Sequence, residues 1–136
     1  MKNIELGEDS YGGPSYDDLI ASMEVNVIYE ESFGSYQGDT LYLVKEGRRY
    51  GYLHNGWGSC SGCDALQSAF DYGDWKEGAA ARQRVHELRD QLYANITWFD
   101  SKAAAREYLT KHDWEGDYIG ESGRKFALAA LQALDS

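Results

Sequence analysis

Basic residues, proline, cysteine and long apolar runs are all scarce in this sequence, and each scarcity excludes something. Thirteen Lys and Arg stand against 23 Asp and Glu, for a formal charge of −10. Binding to a phosphate backbone depends on Lys and Arg displacing condensed counterions, and such a surface repels DNA, RNA and anionic lipid. No direct nucleic-acid or membrane role is therefore expected. A single proline and 43% apolar residues exclude collagen-like structure and disorder, although the mean hydropathy of −0.61 is low for a globular domain. No run approaches the roughly 18 apolar residues of a membrane span. The start Met-Lys-Asn-Ile-Glu also lacks the basic-then-apolar pattern of a secretory signal, so a soluble cytoplasmic protein is expected. A chain of 136 residues needs neither disulfide nor metal to hold a core, and a cytoplasmic setting favours free thiols or a metal over a disulfide for the two cysteines. No Ser, His and Asp arrangement with a recognisable elbow occurs, and the cysteine pair has no papain-like context. No enzyme is expected.

What is abundant is acid and tyrosine. Residues 1–35 carry eight acids and one lysine, whereas residues 36–60 are close to neutral. Eleven Tyr and four Trp supply large, amphipathic side chains that suit interfaces as well as cores. Glu8, Asp9, Asp17, Asp18, Glu30 and Glu31 form a candidate acidic surface for a basic partner.

The element pattern is that of one α+β domain spanning 1–136, with a three- to four-stranded antiparallel meander and helices packed on one sheet face. Residues 1–14 read as a loose arm. Ser15, with Asp18 three residues on, predicts a capped helix start ahead of Leu19, Ile20 and Met23. Val25, Val27 and Tyr29 alternate with Asn26, Ile28 and Glu30 as a strand, residues 32–39 read as a loop, and Glu46-Gly47 as a hairpin turn between strands around 41–44 and 50–54. From 76 to 94, Ala81, Val85, Leu88 and Leu92 make one helical stripe, with Arg82, Arg84, Glu87 and Arg89 expected to face water. A short strand at 96–99 follows. A helix capped by Asp100 or Ser101 comes next, then a last helix from about 121 presenting Ala127, Leu131 and Leu134.

The most distinctive segment is Trp57-Gly58-Ser59-Cys60-Ser61-Gly62-Cys63-Asp64, between a strand and the apolar positions Ala65, Leu66 and Phe70. Four readings compete for it. A redox pair is opposed by the negative Asp64 and an antiparallel sheet context. Zinc would take Cys60, Cys63 and His54 and still need a fourth ligand. An anion cradle for a nucleotide signal would use residues 57–63 with Trp57 or a tyrosine stacking on the base, without the Lys of a P-loop. The fourth reading is a tight turn with small buried thiols and Asp64 capping the next helix. Apart from zinc in the second of these, no cofactor is expected.

A second cluster, His112-Asp113-Trp114-Glu115-Gly116-Asp117-Tyr118, lacks the ligand count of a calcium loop. It reads either as a contact surface for a basic partner, made by Asp113, Trp114, Glu115, Asp117 and Tyr118, or as a helix end pinned to the core by Trp114 and Tyr118.

Tyr50-Gly51-Tyr52-Leu53, Gly58-Ser59-Cys60-Ser61-Gly62-Cys63-Asp64, Trp98-Phe99-Asp100 and the 112–118 cluster together give a chain that resembles a loose set of small uncharacterised proteins from phages and their bacterial hosts. The resemblance implies a stoichiometric inhibitor that binds a basic host protein, one that handles nucleic acid in a defence system of the CRISPR kind. The alternatives are a binder that sequesters a nucleotide signal and a zinc-stabilised structural domain.

Overall fold

The computed structural model describes residues 1–6, 13–58, 64–70 and 78–136. The expected site residues Glu8, Asp9, Ser59, Cys60, Ser61, Gly62 and Cys63 lie outside them, as does the expected start of the long helix at 76. The fold is α+β, and the chain divides into two compact units: residues 1–25 with 57–95, and residues 26–56 with 96–136.

In the first unit, α1 (Tyr16–Ser22) begins with the expected capping box. Ser15 Oγ accepts from Asp18 N at 3.2 Å, and the Asp18 carboxylate accepts from Ser15 N at 2.8 Å. These bonds satisfy helix N–H groups that have no partner within the helix. Leu19, Ile20 and Met23 are buried, as the spacing predicts. Residues 1–6 are tied down, with Lys2 N donating to Ser22 O at 2.9 Å and Ile4 buried. Two further helices, α2 (Ala65–Phe70) and α3 (Ala79–Ala94), pack on each other.

The stripe Ala81, Val85 and Leu92 of α3 is buried, but so is Arg89, at 7% exposure, where the charge pattern had placed it in water. Its Nη1 donates to Lys2 O at 2.7 Å and to Ser22 Oγ at 3.1 Å, and Nε bonds Asp90 at 2.8 Å. A guanidinium tolerates burial when its fork of donors is filled, and acceptors from three separate segments fill this one.

The second unit is built on β1 (Asn26–Gly34), β2 (Gly38–Glu46), β3 (Arg49–Trp57) and β4 (Thr97–Phe99), a meander in the order β1-β2-β3-β4. The β1–β2 register runs from Asn26 opposite Lys45 to Gly34 opposite Gly38, with an irregularity between Val27 and Tyr29. That bulge corrects the simple alternation. Val27 lies opposite Val44 and Tyr29 opposite Leu43, so the two take opposite faces, and Val27 is exposed. A bulge inserts one residue and reverses facing beyond it.

The expected 32–39 loop is mostly strand. Ser32 and Thr40 join their hydroxyls across the pair at 2.8 Å, and the turn is confined to 35–37. Gly34 has φ of +117°, and a Cβ there would fall 2.3 Å from Gln37 O, so only glycine fits. The second turn falls at Gly47, also left-handed, as expected.

Helices α4 (Lys102–Lys111) and α5 (Gly120–Leu134) cover the face carrying Leu41, Leu43 and Tyr52. Phe126, Ala127, Ala130 and Leu134 of α5 and Ala105 and Leu109 of α4 complete that core. The buried face of α5 centres on Phe126 and Ala130, with Leu131 only half-buried. Among the described residues no helix is long and apolar enough to cross a membrane.

Candidate functional site

Asp64 is where the distinctive loop rejoins described structure. The residue is 6% exposed, and its carboxylate accepts four hydrogen bonds. Oδ1 takes Leu66 N at 2.9 Å, Gln67 N at 3.0 Å and the Tyr16 hydroxyl at 3.0 Å, and Oδ2 takes Gly58 N at 2.8 Å. Asp64 therefore caps α2 and ties Gly58 to that helix start, while Gln67 Nε2 reaches back to Gly58 O at 3.0 Å. Burial, reinforced by the neighbouring carboxylate, pushes the Tyr16 phenol far above the ordinary tyrosine value, although the N–H of Leu66 opposes it. A phosphate at this helix start would compete with Asp64 for the same two N–H groups. Among the described residues no three His, Cys, Asp or Glu side chains come together as a metal site.

The acids expected to attract a partner have varied placements. Asp17 and Glu30 are exposed, Asp18 is held in the capping box, and Glu31 accepts from the Tyr29 hydroxyl. In the second cluster most of the charge is used locally. Asp113 accepts from Gly116 N at 3.1 Å, Glu115 pairs with Arg124, and Asp117 holds both His112 Nε2 at 2.7 Å and Ile119 N at 3.1 Å. Trp114 is buried, with its Nε1 directed at Leu109 O at 3.4 Å and its ring edge-on to Tyr52. Of the two aromatics expected to pin the helix end, Trp114 does so and Tyr118 does not, being 87% exposed.

The pattern-based reading missed how this segment meets the sheet. Asp39 lies near the start of β2 and His54 near the end of β3, both on the face that α4 and α5 cover. Because antiparallel strands bring the start of one beside the end of the next, His54 Nε2 meets Asp39 Oδ1 at 2.6 Å. The Tyr118 ring lies nearly parallel to the His54 imidazole, 6.2 Å between centroids at 21°. Beside it, His112 stacks on Tyr108 at 4.8 Å and meets Trp114 edge-on at 4.4 Å. Two imidazoles, each oriented by a carboxylate, thus stand near Asp117, and His112 rests against Tyr108 and Trp114. The β1–β2 turn at the same end of the sheet carries Tyr36, 80% exposed.

The electrostatics follow from this geometry. The His112 hydrogen bond holds Asp117 below the ordinary carboxyl value of 3.8, helped by Ile119 N and the nearby His54 and opposed by partial burial. Burial, with Tyr108, Asp117 and Asp39 adding, drives the Tyr52 phenol far upward, and Tyr108 is raised by burial and Asp117. Both phenols stay neutral. A carboxyl whose folded value is depressed contributes stability above its unfolded value and loses it as pH falls through the folded one. The thermal-midpoint advantage of the natural chain over Asp117→Asn is therefore expected to be full well above the ordinary carboxyl value of 3.8 and to shrink as pH falls from there through the depressed folded value. Paired melting curves check this, and a constant difference over that interval would contradict the assignment.

Chemically, the cluster offers recognition: a projecting phenol ring on a fixed base, imidazole N–H groups and carboxylates within a few ångströms. Compared with protein-family models, curated proteins and solved structures, the chain matches none of them.

Proposed function

We propose that the chain is a stoichiometric protein-binding module of the inhibitor type. Its partner is a basic host protein, of the class that handles nucleic acid in defence. The contact is centred on Tyr118, with Tyr36, His54 and Asp39 around it. One observation carries this reading: Tyr118 is almost wholly exposed, yet its ring is laid against His54, which Asp39 holds in place. An exposed aromatic that is already positioned loses little rotamer freedom on binding, which is the property of an interface anchor. The charge of −10 complements a cationic surface and favours fast encounter. The phage resemblance gives the partner class.

The test is affinity purification from a defence-bearing host, followed by titration calorimetry with the recovered protein. Tyr118→Ala is expected to weaken binding about ten-fold or more, and affinity is expected to fall steadily as salt rises past the concentration at which surface charges are screened. Binding indifferent to both changes would reject the reading.

A further inference from the structure

A cavity of about 400 Å³ opens between the end of α4, the 112–115 stretch and α5, away from the Tyr118 ring. Its floor is apolar: Leu109, Trp114 and Ala127 are buried beneath it and Leu131 is half-buried beside them. Leu128, 63% exposed, stands on α5 at the mouth. The volume lies within the range of small-molecule sites, roughly 300–1,000 Å³, and at about 30 Å³ per water in the liquid it corresponds to on the order of a dozen waters.

The rim decides what charge a ligand would carry. Asp113 and Glu115 face the opening together with Arg124, and the only guanidinium among these lining residues is already paired with Glu115. Asp113 and Glu121 also act electrostatically on Arg124. An anionic ligand would have to displace Glu115 and then sit beside Asp113, whereas a cation would relieve the excess of carboxylate. His112, the remaining ionisable group on the lining, is engaged by Asp117.

We propose that this cavity binds a small organic cation: a compact aromatic or branched aliphatic body on the Leu109–Trp114–Leu131 floor, ending in an amine or guanidinium between Asp113 and Glu115. The site is separate from the Tyr118 contact, so its fate does not bear on the protein-binding reading.

The experiment is a heteronuclear NMR titration of the full ¹⁵N-labelled chain with two probes sharing one body, 4-phenylbutylamine and 4-phenylbutyrate. The Trp114 indole N–H and the backbone amides of α5 report occupancy. The amine is expected to shift them saturably at micromolar to millimolar concentration, at least five-fold more tightly than the carboxylate. Leu128→Ala, at an exposed position, is expected to weaken both probes without altering the rest of the spectrum. Asp113→Asn with Glu115→Gln is expected to erase the preference for the amine. Failure of the amine to shift Trp114, equal or tighter binding of the carboxylate, or a preference that survives the double substitution would each overturn the proposal.

Discussion

Asp64→Ala is expected to destabilise the first unit by about 3–5 kcal/mol. One buried carboxylate receives three backbone N–H groups, from Gly58, Leu66 and Gln67, and the Tyr16 hydroxyl. Hydrogen bonds to a charged acceptor contribute about 1.5–3 kcal/mol each. They are not additive, but removing their common acceptor strands several donors away from water at once. Losing an ordinary N-cap costs only about 1 kcal/mol, so the excess measures the part that ties Gly58 and Tyr16 to the helix start. Urea denaturation followed by circular dichroism measures it. Asp64→Asn should fall between, because an amide keeps one oxygen for Leu66 and Gln67 while turning its NH₂ against Gly58 N. A loss below about 1 kcal/mol for alanine would mean that Asp64 acts as a plain helix cap.

The same residue shows what the sequence made legible. Asp64 as the cap of the next helix follows from local chemistry, as do the Ser15–Asp18 box and the Gly47 turn, because each partner lies within a few residues. The stripe of α3 and the meander were legible through period. What period could not show is where a rule is broken by one residue or by a distant partner. The bulge at Ile28 leaves no mark in an alternating apolar run, and so Val27 and Tyr29 were assigned to one face. Arg89 is buried because acceptors 67 and 87 residues earlier converge on it. Polar residues of the β1–β2 hairpin look like a loop until Ser32 and Thr40 are seen as a cross-strand pair.

The site was legible in composition and not in geometry. Segment 112–118 stood out for its acids, yet Asp113, Glu115 and Asp117 are turned to neighbours within nine residues, and the residue left projecting is Tyr118. Counting charges overstates the attraction available there, since a carboxylate shared with Arg124 or His112 offers a partner less than a full charge. The Asp39–His54 pair is the part of the site that strand parity can reveal: both stand on the covered face of strands joined by a tight turn, near the free ends of the hairpin.

Gly123→Ala is expected to destabilise the second unit by about 1–3 kcal/mol, although alanine is the better helix former by about 1 kcal/mol. A Cβ at Gly123 would lie 2.3 Å from Trp114 Cε3 and 2.5 Å from Ile119 Cγ2. Neither atom belongs to a side chain that can swing away. The indole is enclosed by Tyr52, Tyr108 and His112, and Ile119 is buried. The clash can be relieved only by moving α5 or the 112–119 connector, which carries His112 and Tyr118 out of position, so partner binding should weaken along with stability. Gly116→Ala is the matched control. Its Cβ would meet the free end of the Asp113 carboxyl at 2.5 Å, and an exposed Asp can rotate away, so the cost should stay below about 0.5 kcal/mol, as for an ordinary surface change. Equilibrium denaturation and the near-ultraviolet circular dichroism of the aromatic side chains, Trp114 among them, read both variants. If Gly123→Ala were as stable as the natural chain, with its aromatic spectrum unchanged, Trp114 would not be the fixed point on which the connector, and with it Tyr118, is built.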